Sequence, residues 1–197
     1  MKTTTLRDLN GFDQTPASLS AATLIMVDYQ NTYTRGVMEL TGWQEALDAG
    51  AALLAHAREA GATILHVVND GGPDTPYDIR ADIGAIHPKV APAEGEAVVV
   101  KTVPDGFHGT DLGARVDAAG HKDVVIAGFM THMCVTFTTA GAFLRGNRPT
   151  VVADACATRP LPTPLTEVPA DHLHHSALAT IADLYGVVVP TAADLPQ

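Results

Sequence analysis

Short runs of consecutive β-branched and aliphatic residues recur along this chain, separated by stretches that repeat with a helical period. The runs at 23–28, 63–68, 97–102, 124–129, 150–153 and 187–189 are apolar at successive positions, as strands covered on both faces are. The segment 44–60, rich in Ala, Leu and Glu and followed by Gly61, predicts a helix with a glycine stop. Segments 112–119 before Gly120, 134–145 before Gly146 and 171–185 before Gly186 predict three more. Strands alternating with helices predict right-handed βαβ units, hence a parallel sheet covered on both faces. Two stretches break the pattern. Residues 69–92 carry Pro73, Pro76, Pro88, Pro92 and the pair Gly71-Gly72, and residues 159–169 carry Pro160, Pro162, Pro164 and Pro169. Loops this long in a compact domain tend to serve function or assembly. With no repeat and no linker, residues 1–197 read as a single domain.

Composition narrows the function classes. Apolar residues make up 46% of the chain and charged residues 17%, as in an ordinary globular protein. The formal net charge of −10 argues against nucleic acid or an anionic membrane as partner. The two cysteines, Cys134 and Cys156, form neither a disulfide framework nor a zinc cluster and fit a reducing compartment. The start of the sequence, Met1 to Asp8, lacks the apolar stretch of a signal peptide, and no run approaches the roughly 18 apolar residues of a membrane span. The expectation is a soluble cytoplasmic protein acting on a small molecule.

Candidate chemistry gathers where the strands end, the place at which open parallel sheets bind ligands. Asp28 closes the run Leu24-Ile25-Met26-Val27, Lys101 closes Val98-Val99-Val100, and Cys134 follows the turn after Val124–Phe129. A thiol at the start of a helix meets backbone N–H groups and the positive end of the helix dipole, and both favour thiolate. A carboxylate near that thiol can take its proton, an ammonium stabilises both anions, and loop N–H groups can hold an oxyanion. Singly, Asp28 and Lys101 fit solvated strand ends and a cysteine fits a small core residue, which is the reading adopted for Cys156. The coincidence of acid, amine and thiol at three equivalent places is what points to catalysis.

These residues sit in motifs that resemble the isochorismatase-like cysteine hydrolases over about residues 23–189. The motifs are Val27-Asp28-Tyr29-Gln30-Asn31; Lys101 followed by Phe107 and Thr110-Asp111-Leu112; and Gly128-Phe129-Met130-Thr131-His132-Met133-Cys134-Val135. The resemblance implies a three-layer α/β/α sandwich around a six-stranded parallel sheet. It implies Asp28 as general base, Lys101 as its charged partner and Cys134 as nucleophile. It also implies a non-proline cis peptide at Phe129–Met130, an oxyanion site at the N–H groups of Met130 and Cys134, and a homodimer or higher homo-oligomer. Tyr33 and Phe107 become pocket walls, with Phe129 beside them. The implied reaction is hydrolysis of a small amide or similar C–N bond through a thioester.

One departure from the wider superfamily matters. Its nicotinamidases bind a metal through an Asp-x-His motif after the second strand, and here that region reads Asn69-Asp70-Gly71-Gly72-Pro73-Asp74. No metal and no cofactor are therefore expected. An ester or vinyl ether substrate in the same pocket, and a redox-sensing or assembly protein without turnover, stay open. Dinucleotide binding does not, since no Gly-x-Gly-x-x-Gly follows a strand. His132 fits a pocket wall or a solvent-facing spacer, and Gln30 fits a substrate contact, an orienter of Asp28 or a structural amide. His172 and His175 share a helix face and read as polar residues at a helix start, while Trp43 reads as packing.

Overall fold

The structure, a computed structural model, describes residues 3–196. Its centre is a six-stranded sheet made of β1 (Ala22–Val27), β2 (Thr63–Asn69), β3 (Ala97–Lys101), β4 (Asp123–Phe129), β5 (Arg148–Ala157) and, after a small hairpin, β8 (Val187–Val189). The order is β3-β2-β1-β4-β5-β8 and every pairing is parallel. The hairpin, β6 (Leu161–Pro162) and β7 (Glu167–Val168), stands apart as an antiparallel pair within the second proline-rich loop.

The helices are α1 (Leu6–Leu9), α2 (Trp43–Glu59), α3 (Leu112–Ala119), α4 (Thr136–Leu144) and α5 (Ala170–Thr180). Right-handed crossovers place α2, on the β1-to-β2 connection, on one face and α3, α4 and α5 on the other, giving a three-layer α/β/α sandwich. Side chains tie the second layer together. The Arg145 guanidinium at the end of α4 pairs with Asp117 of α3 at 2.9 Å, and Phe143 of α4 stacks edge-on with Tyr185 beyond α5. On the other face, Gly50 of α2 allows the Tyr29 phenol to lie flat against the helix: a Cβ there would sit 2.5 Å from the Tyr29 hydroxyl, which donates to the Ala155 carbonyl at 2.6 Å.

The central strands are buried at every position from Ala22 to Val27 and from Val124 to Phe129, which is why their sequences are unbroken apolar runs. The run at 97–102 departs from that expectation. β3 is a sheet edge, and Val98 and Val100 are 43% and 46% exposed, so only one of its faces is covered. The segment 134–145 also differs: an α-helix begins only at Thr136, and Cys134 lies within a wider π-helical turn, Thr131–Val135. The segment 171–185 likewise resolves into α5 and a π-helical turn, Ile181–Tyr185. Among the described residues no helix is long and apolar enough to cross a membrane.

Candidate active site

Strand order reverses about β1. The chain runs outward through β2 to β3, then crosses back to lay β4 on the other side of β1, so the ends of β1 and β4 bound a crevice of the kind that binds ligands in α/β sheets. Val27 is in register with Val67 of β2 and Gly128 of β4, and Lys101 is in register with Asn69. All three candidate residues therefore emerge at one end of the sheet.

Asp28 is the first residue past β1. Its φ of +50° is a left-handed conformation that Asp tolerates better than most residues. The turn is secured by Asp28 N–H donating to Val67 O at 2.8 Å and Gln30 N–H donating to Asp28 O at 2.7 Å. The carboxylate is wholly buried and lies 2.7 Å from Lys101 Nζ. One strand, β2, lies between the strands of Lys101 and Asp28, so two inter-strand spacings, roughly 10 Å of sheet, separate them and it takes a long side chain to reach across. The lysine Nζ also lies 3.3 Å from Cys134 Sγ and 3.4 Å from Asn69 Oδ1. Acid, amine and thiol, separated by 73 and 33 residues along the chain, thus meet around one ammonium.

Electrostatics distinguish the three groups. Burial raises the Asp28 carboxyl above its ordinary pKa of 3.8, and the adjacent Lys101 and Cys134 only partly oppose that. Burial also works against the Lys101 ammonium, but the charges of Asp28 and Cys134 outweigh it and hold the lysine above its ordinary value. The Cys134 thiol is pushed up to about 12, by burial first and by the Asp28 carboxylate second, against the pull of Lys101. This corrects the expectation of a thiolate at a helix start. Cys134 sits in the π-helical turn, 6% exposed, where burial favours the neutral thiol over the thiolate.

The turn carrying the thiol is specified in detail. Gly128 occupies φ +143°, and a Cβ there would lie 1.9 Å from the Val27 carbonyl oxygen, so only glycine passes this point of β4. The Phe129–Met130 peptide is cis. The Met130 carbonyl accepts from Met133 N–H at 3.0 Å and Val135 N–H at 3.2 Å, which commits those two amides to the turn. Thr131 Oγ1 and His174 Nδ1 lie 2.9 Å apart, while His132 Nδ1 pairs with Thr158 Oγ1. His132 is thus half-buried against β5, with its pKa lowered by burial and then by the charge of Arg159.

The remaining expected residues divide. Tyr33 and Phe129 line the cluster: their rings meet edge-on at 5.8 Å, and the Tyr33 phenol is raised by burial and then by the charges of Asp28 and Cys134. Gln30, expected to meet substrate, is spent on structure. It is fully buried, accepts from Asn69 N–H at 2.9 Å, and donates to Asn69 O at 3.0 Å and Gly84 O at 2.7 Å, which pins the long loop after β2 to the strand it leaves. Phe107 is engaged elsewhere, with the Arg145 guanidinium 5.4 Å over its ring.

Two residues of this neighbourhood escaped sequence reasoning. Asn69 contributes the third contact to Lys101. Tyr77 sets its ring edge-on to Tyr33, 5.8 Å away, and its phenol is raised by burial first and by the charges of Cys134 and Asp28 after it. Asn69 carried a usable signal, since it ends β2 as Asp28 and Lys101 end their strands; Tyr77 lies in a loop that has no periodicity to read. Among the described residues no group of three or more His, Cys, Asp and Glu is placed to hold a metal ion.

A family model described as the isochorismatase domain matches residues 22–193. The solved structure of an isochorismatase from Pseudomonas putida KT2440 superposes with a TM-score of 0.95 at 37% identity, covering 99% of this chain and 100% of that one. A streptothricin hydrolase of Streptomyces noursei is 35% identical over 176 residues, 88% of this chain and 63% of its own length. The ureidoacrylate amidohydrolase RutB of Caulobacter vibrioides is 24% identical over 216 residues, covering 90% of this chain and 91% of its own.

Proposed function

This chain belongs to the isochorismatase family of hydrolases, and we propose that it cleaves a non-peptide C–N bond of a small molecule through a thioester on Cys134. The observation that carries the reading is the Lys101 ammonium set 2.7 Å from the Asp28 carboxylate and 3.3 Å from the Cys134 sulfur in a buried cluster. The likeness to an amidohydrolase supports the choice of bond.

The protonation states define the cycle. With the thiol raised to about 12, the nucleophile forms only as its proton leaves, and Asp28, itself raised by burial, is the base beside it. Sulfur adds to the carbonyl as Asp28 takes the thiol proton. The oxyanion is held by the N–H groups of Met130 and Cys134, the pair that the family resemblance implies. Asp28 then gives its proton to the leaving nitrogen, the C–N bond breaks, and amine and thioester remain. Asp28 next takes a proton from water, whose oxygen attacks the thioester carbon, and the C–S bond breaks as Asp28 returns that proton to sulfur, which releases the acid and restores both the thiol and the carboxylate. Lys101 stays charged throughout and keeps the negative charge shared by Asp28 and sulfur inside the protein.

The test is turnover of a panel of small amides by the wild-type protein and by Cys134→Ala, read as ammonia or amine released. Loss of at least about 1000-fold in the variant is expected, and full turnover by Cys134→Ala would rule the mechanism out. Preference for esters or a vinyl ether such as isochorismate would change the bond but keep the site. Reversible oxidation of Cys134 without acylation would make the protein a redox sensor instead.

A further inference from the structure

The three histidines at the start of α5 are not alike. His172 and His175 are exposed, whereas His174 is half-buried. It falls on the stripe of the helix that faces the core, at helical spacing from Ala177 and Ile181, which are buried, and from Leu178, which packs against the core. An apolar side chain is the ordinary occupant of such a place. His174 instead sets its Nδ1 2.9 Å from the Thr131 hydroxyl. Burial, and then the charge of His175, lower its pKa below the ordinary 6.5, so at neutral pH the ring is neutral and pairs with that hydroxyl as donor or acceptor.

Thr131 is wholly buried and opens the turn that carries Cys134. Nearby threonines spend their hydroxyls locally: Thr136 donates to the Thr131 carbonyl and Thr139 to the Val135 carbonyl, each at 2.7 Å. Thr131 reaches out of its own segment, to a residue 43 positions further along, and so ties the first residue of the turn to α5. With its carbonyl held by Thr136 and its hydroxyl by His174, this residue is fixed from two elements. Met130 precedes it, and the Met130 N–H is one of the two assigned above to the oxyanion. Cys134 follows three residues on, with its sulfur 3.3 Å from Lys101 Nζ. Where Thr131 sits therefore sets where both reacting groups sit.

We propose that His174 is a positioning residue for the reaction at Cys134: through the Thr131 hydroxyl it holds the nucleophile turn where the sulfur meets Lys101 and where the Met130 and Cys134 N–H groups face the reacting carbonyl oxygen. This deepens the proposed function and rests on Cys134 being the reactive group. His174 acts through Thr131 and touches neither sulfur nor substrate. Its effect is expected on the chemical step, because displacing a reacting atom by about 1 Å costs on the order of 100-fold in rate, while the residues that bind substrate stay in place.

The experiment measures hydrolysis of p-nitrophenyl acetate, an activated acyl donor, by the release of p-nitrophenolate, with rates expressed per folded molecule after urea unfolding of each variant. His174→Leu is expected to lower kcat about tenfold or more with KM within about twofold of wild type. Thr131→Val, which keeps the shape and loses the hydroxyl, should match it, and the double variant should be no slower than either single one. His174→Asn places an amide O or N where Nδ1 stood and should restore kcat to within about threefold of wild type. Should His174→Leu not fold, Thr131→Val decides the same question. Variants that lose stability but keep the wild-type kcat, a double variant slowed by the product of the single effects, or a stably folded His174→Asn as slow as His174→Leu each overturn the proposal. Cys134→Ala separates it from the reading beneath it. Wild-type rates in His174→Leu with Cys134→Ala inactive overturn the positioning role alone, and release by Cys134→Ala as fast as by the wild type overturns both.

Discussion

Removing one partner of the Asp28–Lys101 pair should cost far more than removing both. The two side chains are 0% exposed and 2.7 Å apart. Lys101→Met leaves a buried carboxylate without its cation, and Asp28→Asn leaves a buried ammonium facing an amide. Each is predicted to lose about 3–5 kcal/mol of stability. The double variant leaves no buried charge from the pair, so its loss should fall well short of the sum, with a coupling of about 2–4 kcal/mol. Urea unfolding at neutral pH measures this, provided the slopes of the four proteins agree. A pH series adds a signed check. In Lys101→Met the folded-state pKa of Asp28, already raised by burial, loses the opposing influence of the ammonium. The folded protein then binds a proton that the unfolded chain releases near 3.8. Its stability is therefore full below that value and declines as pH rises toward the folded pKa. Additivity within about 0.5 kcal/mol, or stability of Lys101→Met that rises with pH over that range, would refute the charge-pair account.

Gly128→Ala would place its Cβ 1.9 Å from a backbone oxygen at a φ of +143°, a loss on the order of 4 kcal/mol; a melting temperature lowered by about 8–16 °C is expected by calorimetry, and an unchanged one would contradict the geometry. Gln30→Leu strands the Asn69 and Gly84 backbone groups it serves, so a loss of roughly 2–4 kcal/mol and faster proteolysis within 70–96 are predicted, whereas a substrate-contact role would leave proteolysis unchanged. The Glu96 carboxyl is lowered from 4.5 to about 2, chiefly by Arg58 and also by the Ala93 amide and His66. Its contribution is present above 4.5 and lost as pH falls toward 2; allowing for partial exposure it amounts to about 1–2 kcal/mol, and Glu96→Gln should flatten that part of the stability profile.

The strands were legible because burial on both faces leaves no room for polar residues, so Leu24–Val27 and Val124–Ala127 announce themselves. The edge strand misled for a related reason: Val98 and Val100 have the composition of covered positions, and nothing local reveals that no helix lies over them. Asp28, Lys101 and Cys134 were legible because each interrupts or follows an apolar run at the same end of a parallel sheet. The state of the thiol was not, since one extra residue in the turn Thr131–Val135 lies below the resolution of a helical period and burial is a property of the whole fold. Gln30 shows the same limit: its amide type was evident, but its partner Gly84 lies 54 residues away in a loop without periodicity. Tyr77 belongs to such a loop too, and only the packed chain brings its ring against Tyr33.

The central claim, that Cys134 forms a covalent bond with substrate while Asp28 and Lys101 act on it, is tested most directly by acid-quenching the protein during turnover of an amide panel and weighing its peptides. An acyl group on the Cys134 peptide, appearing and disappearing at the rate of turnover and absent in Asp28→Asn, is the predicted result. Continued turnover with Cys134 never modified, or an adduct on another side chain, would contradict it.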